Sequence, residues 1–284
     1  MEFSRHLLAM DYSTEIKSIL EEQNKNGGAF WSRADEDIHA PHGSSTMDTL
    51  EVLGELGATP KDYPILTKAI AFLFDYQTPD GSFKYSRTSS KLPCMTARIL
   101  AALGRLGVAK DKRAKKSYQQ LLDTQWSDGG WRCNTVKLGK SSETDASNPG
   151  TTLYVLDAFR FRDNTQEEMH QFEKGIDFLL GHWDTKLPLG PCTFGIGSRF
   201  FQIEFPFLRY NLFYYVYVLS FYGHALKDNR FQEAYQKMLV KTRNGKILPE
   251  NPHKAWSKYA FAKKGEVSNL ATERWKEIEF NLKK

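Results

Sequence analysis

Gln77-Thr78-Pro79-Asp80-Gly81-Ser82-Phe83 and Gln125-Trp126-Ser127-Asp128-Gly129-Gly130-Trp131 share one pattern. Each has a glutamine, an acid three residues on, then glycine and an aromatic ring. A third copy, with Asn26 in place of the acid, runs from Gln23 through Gly27 and Gly28 to Phe30 and Trp31. The three glutamines are 54 and 48 residues apart. A recurrence near 50 residues is the mark of a repeat architecture. Two weaker copies, residues 179–183 and 241–247, fall where a fourth and a fifth helical segment are expected to end.

Working outward, each loop lies between two helix-like segments. Residues 62–76 place Ile65, Leu66, Ala69, Ile70, Leu73 and Phe74 at helical spacing. Residues 116–124 and 172–180 follow suit, and Thr165-x-x-Glu168 supplies a capping box ahead of the latter. The segments after the loops are 46–56, 95–106, 151–161, 210–222 and 269–280. Gly57, Gly107 and Gly223 are placed to close three of them. These second helices are apolar around more of their circumference than the first, so they are expected to be buried on nearly all sides. Five such hairpins predict an all-α, single-domain chain over residues 1–284: an (α/α) toroid of inner and outer helical barrels. Residues 3–10 are available for a sixth pair. In the loops, glycine permits a positive φ, the ring covers a helix end, and glutamine ties off orphan backbone groups.

Composition agrees with a globular chain: 40% hydrophobic and 26% charged residues exclude a disordered, collagenous or small disulfide-built protein. The net charge of +5 is uneven, with residues 225–284 holding 14 Lys/Arg against 7 Asp/Glu. Such a segment can favour anionic membranes or anionic ligands, leaving peripheral membrane contact open, or it can be a solvated face. No nucleic-acid signature accompanies it, so no nucleic-acid partner is expected. Three widely spaced cysteines give no disulfide framework, and their odd count favours a reducing compartment. The first residues lack the apolar core of a signal peptide. A cytoplasmic location is therefore expected.

The loops at 77–83 and 125–131 resemble the QW repeats of squalene cyclases and the related repeats of protein prenyltransferase β-subunits. The likeness extends over roughly residues 13–280. It is nearest to small single-toroid bacterial proteins of this superfamily, and it implies an (α/α) toroid whose cavity opens at the N-terminal ends of the inner helices. Class II terpene cyclases carry Asp-x-Asp-Asp-Thr, whose central acid protonates an alkene. The best match here is Ser45-Thr46-Met47-Asp48-Thr49, which keeps Asp48 and Thr49 but puts Met47 in the acid's place. Protein prenyltransferases hold zinc with Asp, Cys and His near the starts of inner helices. Here Cys94, Cys133, Cys192 and His42 stand just before inner helices or just after a repeat loop, and three thiolates with an imidazole would suit tetrahedral zinc. The alternative is three unrelated buried thiols.

Residues 194–222 hold twelve aromatic rings, among them Phe205, Tyr210 and Tyr214, more than core filling requires. Ring faces accept isoprenoid chains and stabilise cations, so a hydrophobic isoprenoid or diphosphate ligand is the expected partner. Arg98, Arg199 and Arg209 are candidates to bind phosphate oxygens, the alternative being ion pairs of Arg98 and Arg209 with Asp48 or Glu204. Glu204, between Ile203 and Phe205, is the first choice for a general acid, with Asp48 beside it. The expected function is isoprenoid binding or an enzyme acting on a prenyl diphosphate or linear terpene. The contrasting expectation is a non-catalytic toroid that binds protein, peptide or glycan at its rim.

Overall fold

The computed structural model describes residues 10–133, 145–190, 192 and 194–284. Among these the regular elements are helices, joined by turns that hold only isolated β-bridges. The chain sorts into two compact units, residues 1–124 with 157–163, and residues 125–156 with 164–284. The first contains α1 (Ser13–Leu20), α2 (Thr46–Glu55), α3 (Ile65–Phe74), α4 (Pro93–Arg105) and α5 (Lys115–Asp123). α6 (Pro149–Phe159) begins in the second unit. That unit continues with α7 (Gln166–Thr185), α8 (Leu212–Leu219), α9 (Gly223–Leu226), α10 (Asn229–Leu239) and α11 (Asn269–Asn281). Residues 3–9, offered as part of a sixth pair, lie outside the described residues.

The two kinds of helix differ as their patterns predict. α3 buries Leu66, Ala69, Ile70 and Leu73, a single face at i, i+3, i+4 and i+7. Every residue of α2 and of α8 is buried, and α4 leaves only Cys94 and Arg105 outside that class. Close approach of these wholly buried helices needs small residues. A side chain at Gly54 would overlap Arg105, and one at Gly104 would overlap the Phe161 ring.

Each loop is built by the same bonds. The amide of the closing residue donates to a threonine in the first turn of the following helix. Trp31 N reaches Thr46 Oγ1 at 3.2 Å, Phe83 N reaches Thr96 Oγ1 at 2.9 Å, and Trp131 N reaches Thr152 Oγ1 at 2.9 Å. Ile247 N repeats this with Thr272 Oγ1 at 3.0 Å, so the fifth copy keeps the bond without the ring. The glutamine reaches forward: Gln77 Nε2 donates to Arg113 O and Ser117 Oγ, and Gln125 Nε2 to Gly129 O and Gln171 O. Gly81 and Gly129 have φ near +92° and +93°, and a Cβ on either would overlap the Lys116 or Lys174 carbonyl. Both positions therefore demand glycine twice over.

Three expectations are corrected. Residues 179–183 form no loop; they lie inside α7, which the Thr165–Glu168 capping box starts at Gln166 and left-handed Lys186 ends. The apolar segment 210–222 is helical only over Leu212–Leu219, because Asn211 caps it by accepting from Tyr214 N. Gly223 opens α9 rather than closing α8, whereas Gly57 and Gly107 take the positive φ expected of them.

Candidate functional site

In the first unit, α2 carries Asp48, Glu51 and Glu55 on one face, and α4 carries Arg98 and Arg105 seven residues apart. Asp48 and Arg98 are 50 residues apart, as are Glu55 and Arg105, so one repeat sets an acid where the next sets an arginine. Arg98 Nη2 donates to Asp48 Oδ1 at 2.7 Å and to Glu51 Oε2 at 2.8 Å. Arg105 donates from Nε to Glu55 Oε1 and from Nη2 to Asp157 Oδ2 at 2.6 Å, and Arg160 Nε meets Asp157 Oδ1 at 2.5 Å. Asp48 is 0% and Arg98 5% exposed, so this ladder is dry.

Asp48 Oδ2 also accepts from Gly43 N at 2.7 Å and Ser45 Oγ at 2.8 Å, while Ser45 Oγ accepts the Asp48 amide to cap α2. Burial alone pushes the Asp48 carboxyl up. The charges of Arg98 and His39 and the hydrogen bonds from Ser45 and Arg98 outweigh it and hold Asp48 below the ordinary carboxylate range. The same contacts that pair Asp48 with Arg98 and Ser45 favour its charged form. Glu51 goes the other way: burial outweighs Arg98 and Arg105 and raises its pKa. Arg98 forms the ion pair that stood as the alternative to phosphate binding. Glu51, Glu55, Arg105, Asp157 and Arg160 were missed in the sequence; their signal was opposite charges one repeat apart inside helices otherwise apolar all round.

In the second unit, the rings of 194–222 pack chiefly on one another. Phe207 stacks on Tyr214 and Tyr217 with centroids 4.9 and 5.0 Å away, and meets Phe205 edge-on at 5.0 Å. Phe205, Phe213, Tyr214 and Tyr215 are fully buried among these rings. Tyr210 is buried, with the ring of half-buried Phe194 5.8 Å away and that of Phe200 5.0 Å away; Phe201, which packs on Phe200, is half-buried. His182 Nε2 donates to Leu187 O at 2.9 Å, which leaves Nδ1 to accept from the Tyr210 hydroxyl at 3.1 Å. Burial lowers the His182 pKa against the pull of the Leu187 and Phe194 carbonyls, so the ring stays neutral and keeps that tautomer. Glu204 is buried and paired with Arg209 Nε at 3.3 Å; Arg199 is exposed.

Cys133 and Cys192 meet, Sγ to Sγ, at 3.2 Å. Cys94 is half-buried at the start of α4, and His42 is exposed, its ring edge-on to His39 at 5.0 Å. Among the described residues no group of three or more His, Cys, Asp or Glu is placed to hold a metal ion. Cys94, Cys133, Cys192 and His42, expected from the sequence as zinc ligands, are thus not gathered into such a group. Nor is any helix among these residues long and apolar enough to cross a membrane.

Residues 16–223 match the family described as the squalene-hopene cyclase C-terminal domain. The chain belongs to that family, and its fold class is the all-α, (α/α)-toroid class of paired helices. Among solved structures it is similar to the type II terpene cyclase MstE from Scytonema in its apo form, at 13% identity, covering 98% of each chain with a TM-score of 0.34. It is similar also to a point variant of MstE in complex with merosterolic acid A, the product, at 14% identity, 97% of each chain and a TM-score of 0.34. No curated protein matches the chain.

Proposed function

We propose that this protein binds an isoprenoid chain, laying it against the half-buried rings of Phe194 and Phe201, which flank buried Tyr210 and Phe200, with exposed Arg199 to meet a diphosphate where the ligand has one. The observation that carries this reading is family membership over residues 16–223, most of the chain. Ring faces at the approach to α8 support it, because they offer contact to an apolar chain without demanding hydrogen bonds. Asp48 is paired with Arg98 and its pKa is lowered, so protonation of an alkene by that residue forms no part of the proposal. Glu204 is the acid candidate of the second unit, and its partner Arg209 makes it a group that positions charge. The test is a thermal-shift and product screen with geranyl diphosphate, farnesyl diphosphate and squalene. Stabilisation by at least one, with the diphosphates weakened by Arg199→Ala and squalene unaffected, supports the reading. No shift with any of them removes it.

One observation favours a second reading. Arg98 and Asp48 neutralise each other, and Phe205 and Tyr214 are walled in by other rings, as expected of a scaffold that performs no chemistry and binds a protein, peptide or glycan at its rim. Isoprenoid binding without turnover, or neither, separates the two.

A further inference from the structure

The Cys133–Cys192 contact joins residues 59 apart in sequence, and both ends are anchored independently to the start of α6. On one side, Trp131 N donates to Thr152 Oγ1, and Trp131 O accepts from Asn148 N at 2.8 Å, which fixes the segment that ends in Cys133. On the other, the stretches before and after Cys192 are held together: Ile196 N donates to Lys186 O at 3.0 Å and Leu189 N to Phe194 O at 3.2 Å. His182 holds Leu187 O. Gly190 lies against Asn148 and the Phe194 ring against Gly150. Two separately fixed segments thus present their sulfurs to each other, one buried and one exposed.

We propose that Cys133 and Cys192 are a reversible redox pair, closed to a disulfide by exchange with a small-molecule or protein disulfide. The exposed Cys192, as its thiolate, attacks one sulfur of the incoming disulfide. A mixed disulfide forms and the first thiol leaves. Buried Cys133, giving up its proton, attacks Cys192 Sγ; the intramolecular bond forms and the second thiol leaves. The two cysteines lose two electrons and two protons, and the oxidant gains both. A closing motion of about 1 Å brings the sulfurs to bond length. The contact with Cys133 raises the Cys192 pKa, with desolvation adding to it, so exchange is slow at neutral pH and quickens as pH rises. Cys94, half-buried at the start of α4, accounts for the odd count of cysteines and serves as the internal control.

The experiment equilibrates the purified full chain with oxidised or reduced glutathione, blocks remaining thiols by alkylation, and reads intact mass and peptide map. The expected result under oxidant is loss of two hydrogens, a linked pair of peptides containing Cys133 and Cys192, and alkylation of Cys94 alone; reduced glutathione reverses it. Cys192→Ser abolishes the link, and Cys94→Ser leaves it intact. The oxidised form is expected to melt several degrees higher than the reduced one. Glutathione left on Cys192 with Cys133 free, a link through Cys94, or all three thiols alkylated after oxidation would each overturn the proposal. So would stoichiometric zinc in the purified protein that Cys133→Ser removes.

Discussion

Replacing Arg105 by methionine tests the buried ladder most directly. Arg105 stands between Glu55 of α2 and Asp157 of α6, all three nearly free of solvent. Methionine keeps most of the length and lies against Phe161 as the guanidinium does, so the packing loss is small. What is lost is the charge: Glu55 and Asp157 then share a dry space without the guanidinium that bridges them, while Arg160 keeps its bond to Asp157. Removing one partner of a buried pair costs about 3–5 kcal/mol. Two unit charges about 4 Å apart at an effective dielectric near 20 give roughly 4 kcal/mol, a consistent size. At roughly 2–4 °C per kcal/mol in a chain of this size, Arg105→Met should melt roughly 6–20 °C below the parent. Urea unfolding of the parent, Arg105→Met and the double variant Glu55→Met with Arg105→Met completes the assay. The double variant should regain at least about 1.5 kcal/mol, because it removes one of the two carboxylates that lost Arg105. The reasoning fails if Arg105→Met lies within about 0.5 kcal/mol of the parent, or if the double variant is no more stable than the single.

Two further perturbations follow from the same geometry. The folded pKa of Glu51 is raised above its ordinary 4.5, so its contribution to stability is fully present below that value and is lost as pH rises through the folded pKa. Glu51→Gln should therefore lose less stability than the parent over that rise, as read by urea midpoints at a series of pH values; parallel curves would contradict it. Gly129→Ala combines a φ of +93° with a Cβ driven into the Lys174 carbonyl and should cost about 2–3 kcal/mol. Gly223→Ala meets no neighbour and should stay within about 0.5 kcal/mol. Equal effects in the two glycine variants, measured by chemical denaturation, would show that the loops tolerate a side chain.

The helical scaffold was legible because its signals are local and repeated. Gly81 and Gly129 mark the turns, the Thr165–Glu168 box marks the start of α7, and the apolar spacing of 65–74 matches the buried face of α3. Errors came where one local signal stood for another. Leu179–Trp183 has the composition of a repeat loop but helical backbone throughout, and Tyr210 reads as helix although Asn211 is the cap. The candidate site was less legible because a charged residue in an apolar helix has two readings at the level of sequence. Arg98 could have faced a ligand; it faces Asp48 and Glu51, and only the position of the next helix decides that. The approach of Cys133 to Cys192 was hidden for a related reason. Fifty-nine residues of separation say nothing about Gly190 and Phe194 packing back onto Asn148 and Gly150.

The forward reach of Gln77 and Gln125 bears on how this chain tolerates rearrangement. Each glutamine leaves its own hairpin and fastens an early turn of the next outer helix, so neighbouring hairpins are stitched in one direction. A deletion that removes one whole period splices a glutamine onto an equivalent receiving turn and keeps the seam. A cut of any other length leaves the stitch with nothing to hold.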